Sequence, residues 1–189
     1  DESGNQTGQF VSCLEDKLFQ PAGFNWRAKY DKGNLVEKVY LNNVKEPYLN
    51  PNEGYAKYIA KYNERGRLIE LSFFDTEEKP CLNNKGYAKV SYGYDEWGNV
   101  TEILFLGVDG KPCTDSSGVA RCVMRYDERG NKIEEATFDP EGNPCLNAQG
   151  AAKMTAVCDS WGNVTEMTYW GTDGRLGLNK EGFAKMNFN

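Results

Sequence analysis

Apolar and polar residues alternate with period two over short stretches, and the stretches recur along the chain. Ala56, Tyr58, Ala60 and Tyr62 share one side of the alternation. So do Ala88, Val90, Tyr92 and Tyr94, and then Ala120, Cys122, Met124 and Tyr126. The other side carries Lys57, Lys89, Arg121, Lys153 and Lys185 at one repeated position. This is the pattern of a strand with one face buried and one in water. Near the start, Phe24, Trp26, Ala28 and Tyr30 alternate in the same way with Asn25, Arg27 and Lys29.

Each alternating stretch runs into a turn. Tyr94-Asp95-Glu96-Trp97-Gly98-Asn99 has counterparts at Tyr62-Asn63-Glu64-Arg65-Gly66-Arg67, Tyr126-Asp127-Glu128-Arg129-Gly130-Asn131 and Cys158-Asp159-Ser160-Trp161-Gly162-Asn163. A tighter version, Tyr30-Asp31-Lys32-Gly33-Asn34, is one residue short, and an extra residue near Pro51 compensates. Gly66, Gly98, Gly130 and Gly162 are spaced 32 residues apart, as are Gly54, Gly86, Gly118, Gly150 and Gly182. A fixed period of this size marks a repeat array. The turn fits a type I turn closed by a left-handed residue, because Asp or Asn begins it and Gly stands where positive φ is needed. A second strand follows, as in Val100 to Leu106 and Lys132 to Phe138. A Gly/Pro/Asn loop such as Asp109-Gly110-Lys111-Pro112 comes next. Each copy is therefore a β-hairpin with a connecting loop.

Strand register decides which side chains share a face. A three-residue hairpin loop would put Glu70, Glu102, Glu134 and Glu166 on the apolar face. A four-residue loop would put them beside the repeated Lys and Arg, leaving Ile69, Leu71 and Phe73, or Thr101, Ile103 and Phe105, with the core. A column of buried, unpaired carboxylates is expensive, so the second register is expected. The Glu and Lys/Arg then form cross-strand ion pairs worth about a few tenths of a kcal/mol each.

These features predict an all-β fold: tandem antiparallel hairpins in one long sheet, twisted or curled. The array forms a single repeat domain over 1–189. Residues 1–21 are a partial copy, and 22–53 are a degenerate one. Full copies occupy 54–85, 86–117, 118–149 and 150–181, and 182–189 begin another. Both ends fall within a repeat, so the chain is expected to be a piece of a longer protein. A bare apolar side would aggregate, so curling, a second layer or self-association through the sheet must cover it.

The recurring Tyr-Asp-x-x-Gly-Asn/Arg motif resembles the YD (tyrosine-aspartate) repeats of Rhs-type proteins. The resemblance covers nearly the whole chain. It implies hairpin units joined into a long curled sheet on secreted or surface-exposed bacterial proteins, serving as a shell or a carbohydrate-contacting surface. The unit here is longer than the usual YD repeat, with an added Lys-Pro-Cys-Leu-Asn loop and a Gly-Tyr-Ala-Lys opening.

Composition narrows the function. The chain has 189 residues, 39% hydrophobic and 26% charged, with a net charge of -6. That balance argues against nucleic acid. The longest apolar run is too short for a membrane-spanning helix, and no signal-peptide pattern opens the chain. Histidine is absent, which removes Ser-His-Asp and Cys-His chemistry. No cofactor or metal is expected. Cys81, Cys113 and Cys145 occupy one repeated slot, one hairpin apart and beyond the ~7 Å limit for a disulfide. They read as small packing residues, and Cys113 with Cys122 is the pair to check. The repeated Glu could be paired glycosidase carboxylates. A catalytic pair, however, needs two different environments, and a repeat supplies one. Asp109-Gly110 and Asp173-Gly174 read as turns, with too few oxygens for calcium. Three Asn-x-Thr sequons, at Asn5, Asn99 and Asn163, are by-products of turn chemistry.

The residue before the turn glycine alternates as Arg65, Trp97, Arg129, Trp161, which points to duplication of a two-hairpin unit. A Trp on an exposed turn suits stacking on a sugar ring or a protein contact. The alternative is that each Trp caps the sheet or covers a neighbouring turn. The function expected is a non-catalytic binding or scaffolding module of a bacterial surface or secreted protein. It would meet a protein or carbohydrate ligand at Arg65, Trp97, Arg129 and Trp161. A carbohydrate-binding accessory region of a larger enzyme or toxin-type protein is the competing expectation.

Overall fold

The computed structural model describes residues 25–188, and the partial copy at 1–21 and Phe24 lie outside that range. β1 (Asn25–Asp31) and β2 (Asn34–Leu41) form the first hairpin. β3 (Lys57–Tyr62) and β4 (Leu68–Phe74) form the second, and β5 (Lys89–Tyr94) and β6 (Val100–Leu106) the third. β7 (Arg121–Tyr126) pairs with β8 (Lys132–Phe138), and β9 (Lys153–Cys158) with β10 (Val164–Trp170). β11 (Lys185–Asn187) opens a further copy. All are antiparallel and lie in one sheet in chain order from β1 to β11. β1 and β11 do not meet, so the sheet is open and uncurled. No helix of the described residues is long and apolar enough to cross a membrane.

Both registers occur in each of the four hairpins from β3 to β10. In the body of the second, Lys61 faces Glu70 and Tyr58 faces Phe73, as the longer loop requires. At the tip Tyr62 faces Leu68, as the shorter loop requires, and Ile69 is left opposite no partner. The same one-residue β-bulge occurs in β6, β8, β10 and β2. It lets a compact, well-hydrogen-bonded tip join strands whose Glu residues point to water. It also corrects one expectation. Leu68 and Val100, rather than Ile69 and Thr101, pack against the core beside Leu71, Ile103 and Phe73, Phe105.

The tips have the expected chemistry. Asn63 N–H donates to the Arg67 carbonyl at 2.9 Å, and Gly66 N–H to the Asn63 carbonyl at 2.9 Å. Gly66 sits at φ 73°. The first hairpin is shorter: Lys32 and Gly33, both at positive φ, form a two-residue turn between paired Asp31 and Asn34. The compensating residue lies in Asn50–Tyr55, one longer than the matching Asn83–Tyr87 turn. The same hydrogen-bonded turn is used twice more in each connecting loop, opened by Asp or Asn except at Gly107 and Gly171 and closed by glycine except at Lys45 and Glu78. In one copy these are Asp75–Lys79, where Glu78 takes the left-handed position, and Asn83–Tyr87.

Those loops partly roof the apolar face. Tyr55, Tyr87, Val119 and Ala151 each follow a loop glycine and are buried. Tyr40, Tyr55, Phe73, Tyr87 and Phe105 form a continuous run of ring contacts that alternates between loop and sheet, with centroids 4.6–5.9 Å apart. The thiols of Cys81, Cys113 and Cys145 each lie 3.8 Å from the carbonyl of the preceding copy's loop glycine, Gly54, Gly86 or Gly118. None of the three is in a disulfide, and neither is Cys122 or Cys158. Burial pushes the Cys81, Cys113 and Cys145 thiols above their ordinary range, which keeps them protonated and slow to react.

On the opposite face, the repeated cations link copies. Lys89 reaches Glu70 at 3.3 Å, Lys185 reaches Glu166 at 2.8 Å, and Arg121 pairs with Glu102, in each case across to the previous hairpin. Within hairpins, Lys61 meets Glu70 at 2.8 Å and Arg125 meets Glu134 at 3.6 Å. Lys57, Arg121 and Lys153 also lie over the rings of Phe74, Phe138 and Trp170 directly opposite.

Candidate functional site: the rim of hairpin tips

Because consecutive hairpins stack side by side, their tips form one edge of the sheet. Arg65, Trp97, Arg129 and Trp161 occupy equivalent positions along it, but they do different things. Arg65 Nη1 donates to the Glu96 carbonyl of the next tip at 2.7 Å, and Arg67 Nη2 donates to the Trp97 carbonyl at 2.9 Å. Arg129 Nη1 repeats the first contact on the Ser160 carbonyl at 2.9 Å. The arginines are thus ties that fix the neighbouring tryptophan tip. Trp97 and Trp161 keep 72% and 85% of their surface exposed, so neither covers an adjacent turn. The alternation of Arg and Trp is therefore a pairing of hairpins: an Arg tip holds a Trp tip, and the unit recurs. Four strand spacings separate the two tryptophans, about 20 Å.

Three tips are also closed on themselves by their own carboxylates, Asp95, Asp127 and Asp159. Asp127 accepts from the Arg129 and Asn131 amides and from Asn131 Nδ2. The Asn131 side chain, with those amides, holds the Asp127 carboxyl below its ordinary range. Asp159 is held down in the same way, chiefly by Asn163. At Asp95 desolvation opposes the shift, but the Asn99 side chain and the Gly98 and Trp97 amides outweigh it.

Behind the tips runs a ladder on the apolar side. The hydroxyls of Tyr62, Tyr94 and Tyr126 donate to the Leu35, Leu68 and Val100 carbonyls of the preceding hairpin, at 3.0, 2.6 and 2.9 Å. Burial raises all three phenols above their ordinary range, so they stay donors. The Tyr of the motif is therefore an inter-copy rung, and Cys158 occupies its slot in the last full copy. Between the second and third hairpins this face opens into a cleft of about 250 Å³. Tyr58, Tyr62, Tyr87 and Tyr92 line it, with Asn52 and Asn83 at the loops.

Sequence reasoning missed one pair. Lys132 and Glu135 lie on the apolar side with 12% and 3% of their side chains exposed, and Lys132 Nζ contacts Glu135 Oε2 at 2.6 Å. The corresponding positions of neighbouring copies hold Leu68 and Leu71, Val100 and Ile103, and Val164 and Met167. Aligning the copies column by column would have revealed it. The pair lies between the two apolar clusters, one reaching Met124 and Tyr126 and the other centred on Met154 and Met167.

No protein-family model and no curated protein matches the chain. Among solved structures, the TcdB2-TccC3-Cdc42 crystal structure aligns with 87% of this chain at 17% identity and a TM-score of 0.45. A TcdB2-TccC3 crystal structure aligns with 87% at 15% identity and a TM-score of 0.44. The Photorhabdus luminescens Tc holotoxin pore with a mutated TccC3 aligns with 88% at 16% identity and a TM-score of 0.43. The chain spans 8–9% of the length of these structures' chains.

Proposed function

We propose that this chain is a non-catalytic repeat module of a secreted or surface-exposed bacterial protein, built to hold a row of hairpin tips for contact with a protein or carbohydrate. One observation carries the reading: Trp97 and Trp161 stand exposed on tips whose backbones are tied down by Arg65, Arg67 and Arg129. A large aromatic that stays exposed on a fixed backbone loses little conformational freedom when it binds. Arg65 and Arg129 act as positioning residues for that surface. The YD-like motif supports the secreted or surface setting. The acidic row on the polar face is taken up in ion pairs with the repeated Lys and Arg, as Glu70 is with Lys61 and Lys89 and Glu166 is with Lys185.

The test is binding of the wild-type chain to glycan and protein arrays beside a Trp97→Ala, Trp161→Ala variant with unchanged melting. Loss of a wild-type interaction in the variant supports the rim. Undiminished binding rejects it.

A further inference from the structure

The cleft between the second and third hairpins has a chemistry that the repeat does not dictate. Tyr58 and Tyr62 reach it from β3, Tyr92 from β5, and Tyr55 and Tyr87 from the loops ahead of those strands. The copies at 118–149 and 150–181 hold Cys122 and Met154 at the Tyr58 position, and Met124 and Ala156 at the Tyr92 position. Where Tyr55 and Tyr87 stand, they hold Val119 and Ala151. Tyr55 and Tyr58 stand 73° apart with ring centroids 6.2 Å from each other, so two walls of the cleft meet nearly at a right angle. The Tyr62 hydroxyl is engaged by the Leu35 carbonyl, which leaves its ring as the surface it offers. Burial raises the Tyr55 and Tyr58 phenols above their ordinary range, and the nearby Glu53 carboxylate adds to both shifts. The rings therefore stay neutral, with negative charge beside them. Glu53 lines the cleft and enters no ion pair among the described residues, whereas Lys85, the other charged lining residue, is already engaged. The volume is about 250 Å³, below the roughly 300–1,000 Å³ of sites that enclose a drug-sized ligand. It suits one compact group.

We propose that this cleft is an aromatic cage for a quaternary ammonium group, the trimethylammonium head of choline. Tyrosine faces carry the negative side of the ring quadrupole and attract a cation. The Glu53 carboxylate at the loop adds a full opposite charge. A primary ammonium is strongly hydrated and brings three N–H donors that a ring-lined cleft would leave unsatisfied. A trimethylammonium group has no N–H, spreads its charge over its methyls and loses less on entering. The site lies on the apolar face and uses neither Trp97 nor Trp161, so it and the rim can fail separately.

The experiment titrates the full chain, labelled with ¹³C in the tyrosine rings, with choline chloride. A parallel titration uses the uncharged isostere in which a tert-butyl group replaces trimethylammonium. The ring signals of Tyr58, Tyr62 and Tyr92 shift with choline and saturate, and the isostere binds on the order of ten-fold more weakly. Glu53→Gln and Tyr92→Met introduce the residue types that Gln149 and Met124 supply at those positions in other copies, so the fold tolerates them. Each lowers choline affinity by roughly three- to thirty-fold, and Trp97→Ala does not. Choline binding without sedimentation on phosphatidylcholine vesicles identifies a soluble ligand, and sedimentation that free choline reverses identifies a lipid head group. The proposal is overturned if choline gives no saturable shift, if the isostere binds as tightly, or if both cleft variants bind as wild type.

Discussion

The Tyr94 hydroxyl donates to the Leu68 carbonyl at 2.6 Å, joining the apolar side of one hairpin to the tip of the hairpin before it. Tyr62 and Tyr126 do the same for Leu35 and Val100. Direct strand pairing between hairpins is short: β4 and β5 share three residue pairs, against six between β5 and β6. The tyrosine rung secures the junction beyond the point where pairing stops. Tyr94→Phe should therefore destabilise the chain by about 1 kcal/mol, the net worth of one such bond. Its urea midpoint should fall with unchanged slope. A midpoint equal to wild type would remove the rung from the account.

A turn glycine does two jobs at Gly98, on a hairpin tip, and one at Gly118, in a connecting loop. Both sit at positive φ, 104° and 88°. A Cβ at Gly118 meets open space, whereas a Cβ at Gly98 would overlap the Arg67 guanidinium that holds the Trp97 carbonyl. Valine at either position should bring backbone strain of about 1–2 kcal/mol. Only Gly98→Val should also release Arg67, so it should melt lower than Gly118→Val. Equal melting temperatures would show that the Arg67 tie adds nothing.

Much of this was legible in the sequence because the repeat reports each position several times. The alternation of Ala56, Tyr58, Ala60 and Tyr62 located the buried face, and the cost of burying Glu70 and its equivalents chose the register of the strand bodies. The bulge at Ile69 was not legible. The tip and the strand body each satisfy their own local preference, and a one-residue irregularity reconciles them only in three dimensions. The role of Arg65 was hidden for a related reason: its partner, the Glu96 carbonyl, is backbone and leaves no mark on the sequence.

Lys132 and Glu135 interrupt a face that is otherwise apolar, and the two charges should depend on each other. Replacing Glu135 alone with Ile leaves a largely buried ammonium and should destabilise by about 3–5 kcal/mol. Replacing both, Lys132→Val with Glu135→Ile, restores the pair found at Val100 and Ile103 and should be neutral or stabilising. Urea unfolding of the three proteins checks this. A double variant weaker than the single one would mean that the ion pair itself holds the two apolar clusters together.

The tip carboxylates make stability fall in acid. Asp127 and Asp159 have folded values below the usual 3.8, set chiefly by Asn131 and Asn163. A carboxyl with a depressed folded value contributes stability that is fully present above about pH 4 and is lost as pH falls through the folded value. Melting temperature should thus be flat from neutral pH down to about pH 5 and should drop below pH 4. Asp127→Asn should shrink that drop while lowering stability at pH 7. A variant with the wild-type acid profile would exclude the tip carboxylates as its source.

The central claim is that each 32-residue copy adds two strands beside the last, so that the tips advance in equal steps along one edge. Spin labels on a bio-orthogonal ketone side chain, which leaves the native cysteines untouched, can be placed at the equivalent tip positions Glu64, Glu96, Glu128 and Ser160. Measured from Ser160, pulsed electron resonance should give distances of about 10, 20 and 29 Å to Glu128, Glu96 and Glu64, two strand spacings per copy. Distances that fail to rise in that order, or that return towards short values at Glu64, would contradict the open, in-sequence sheet.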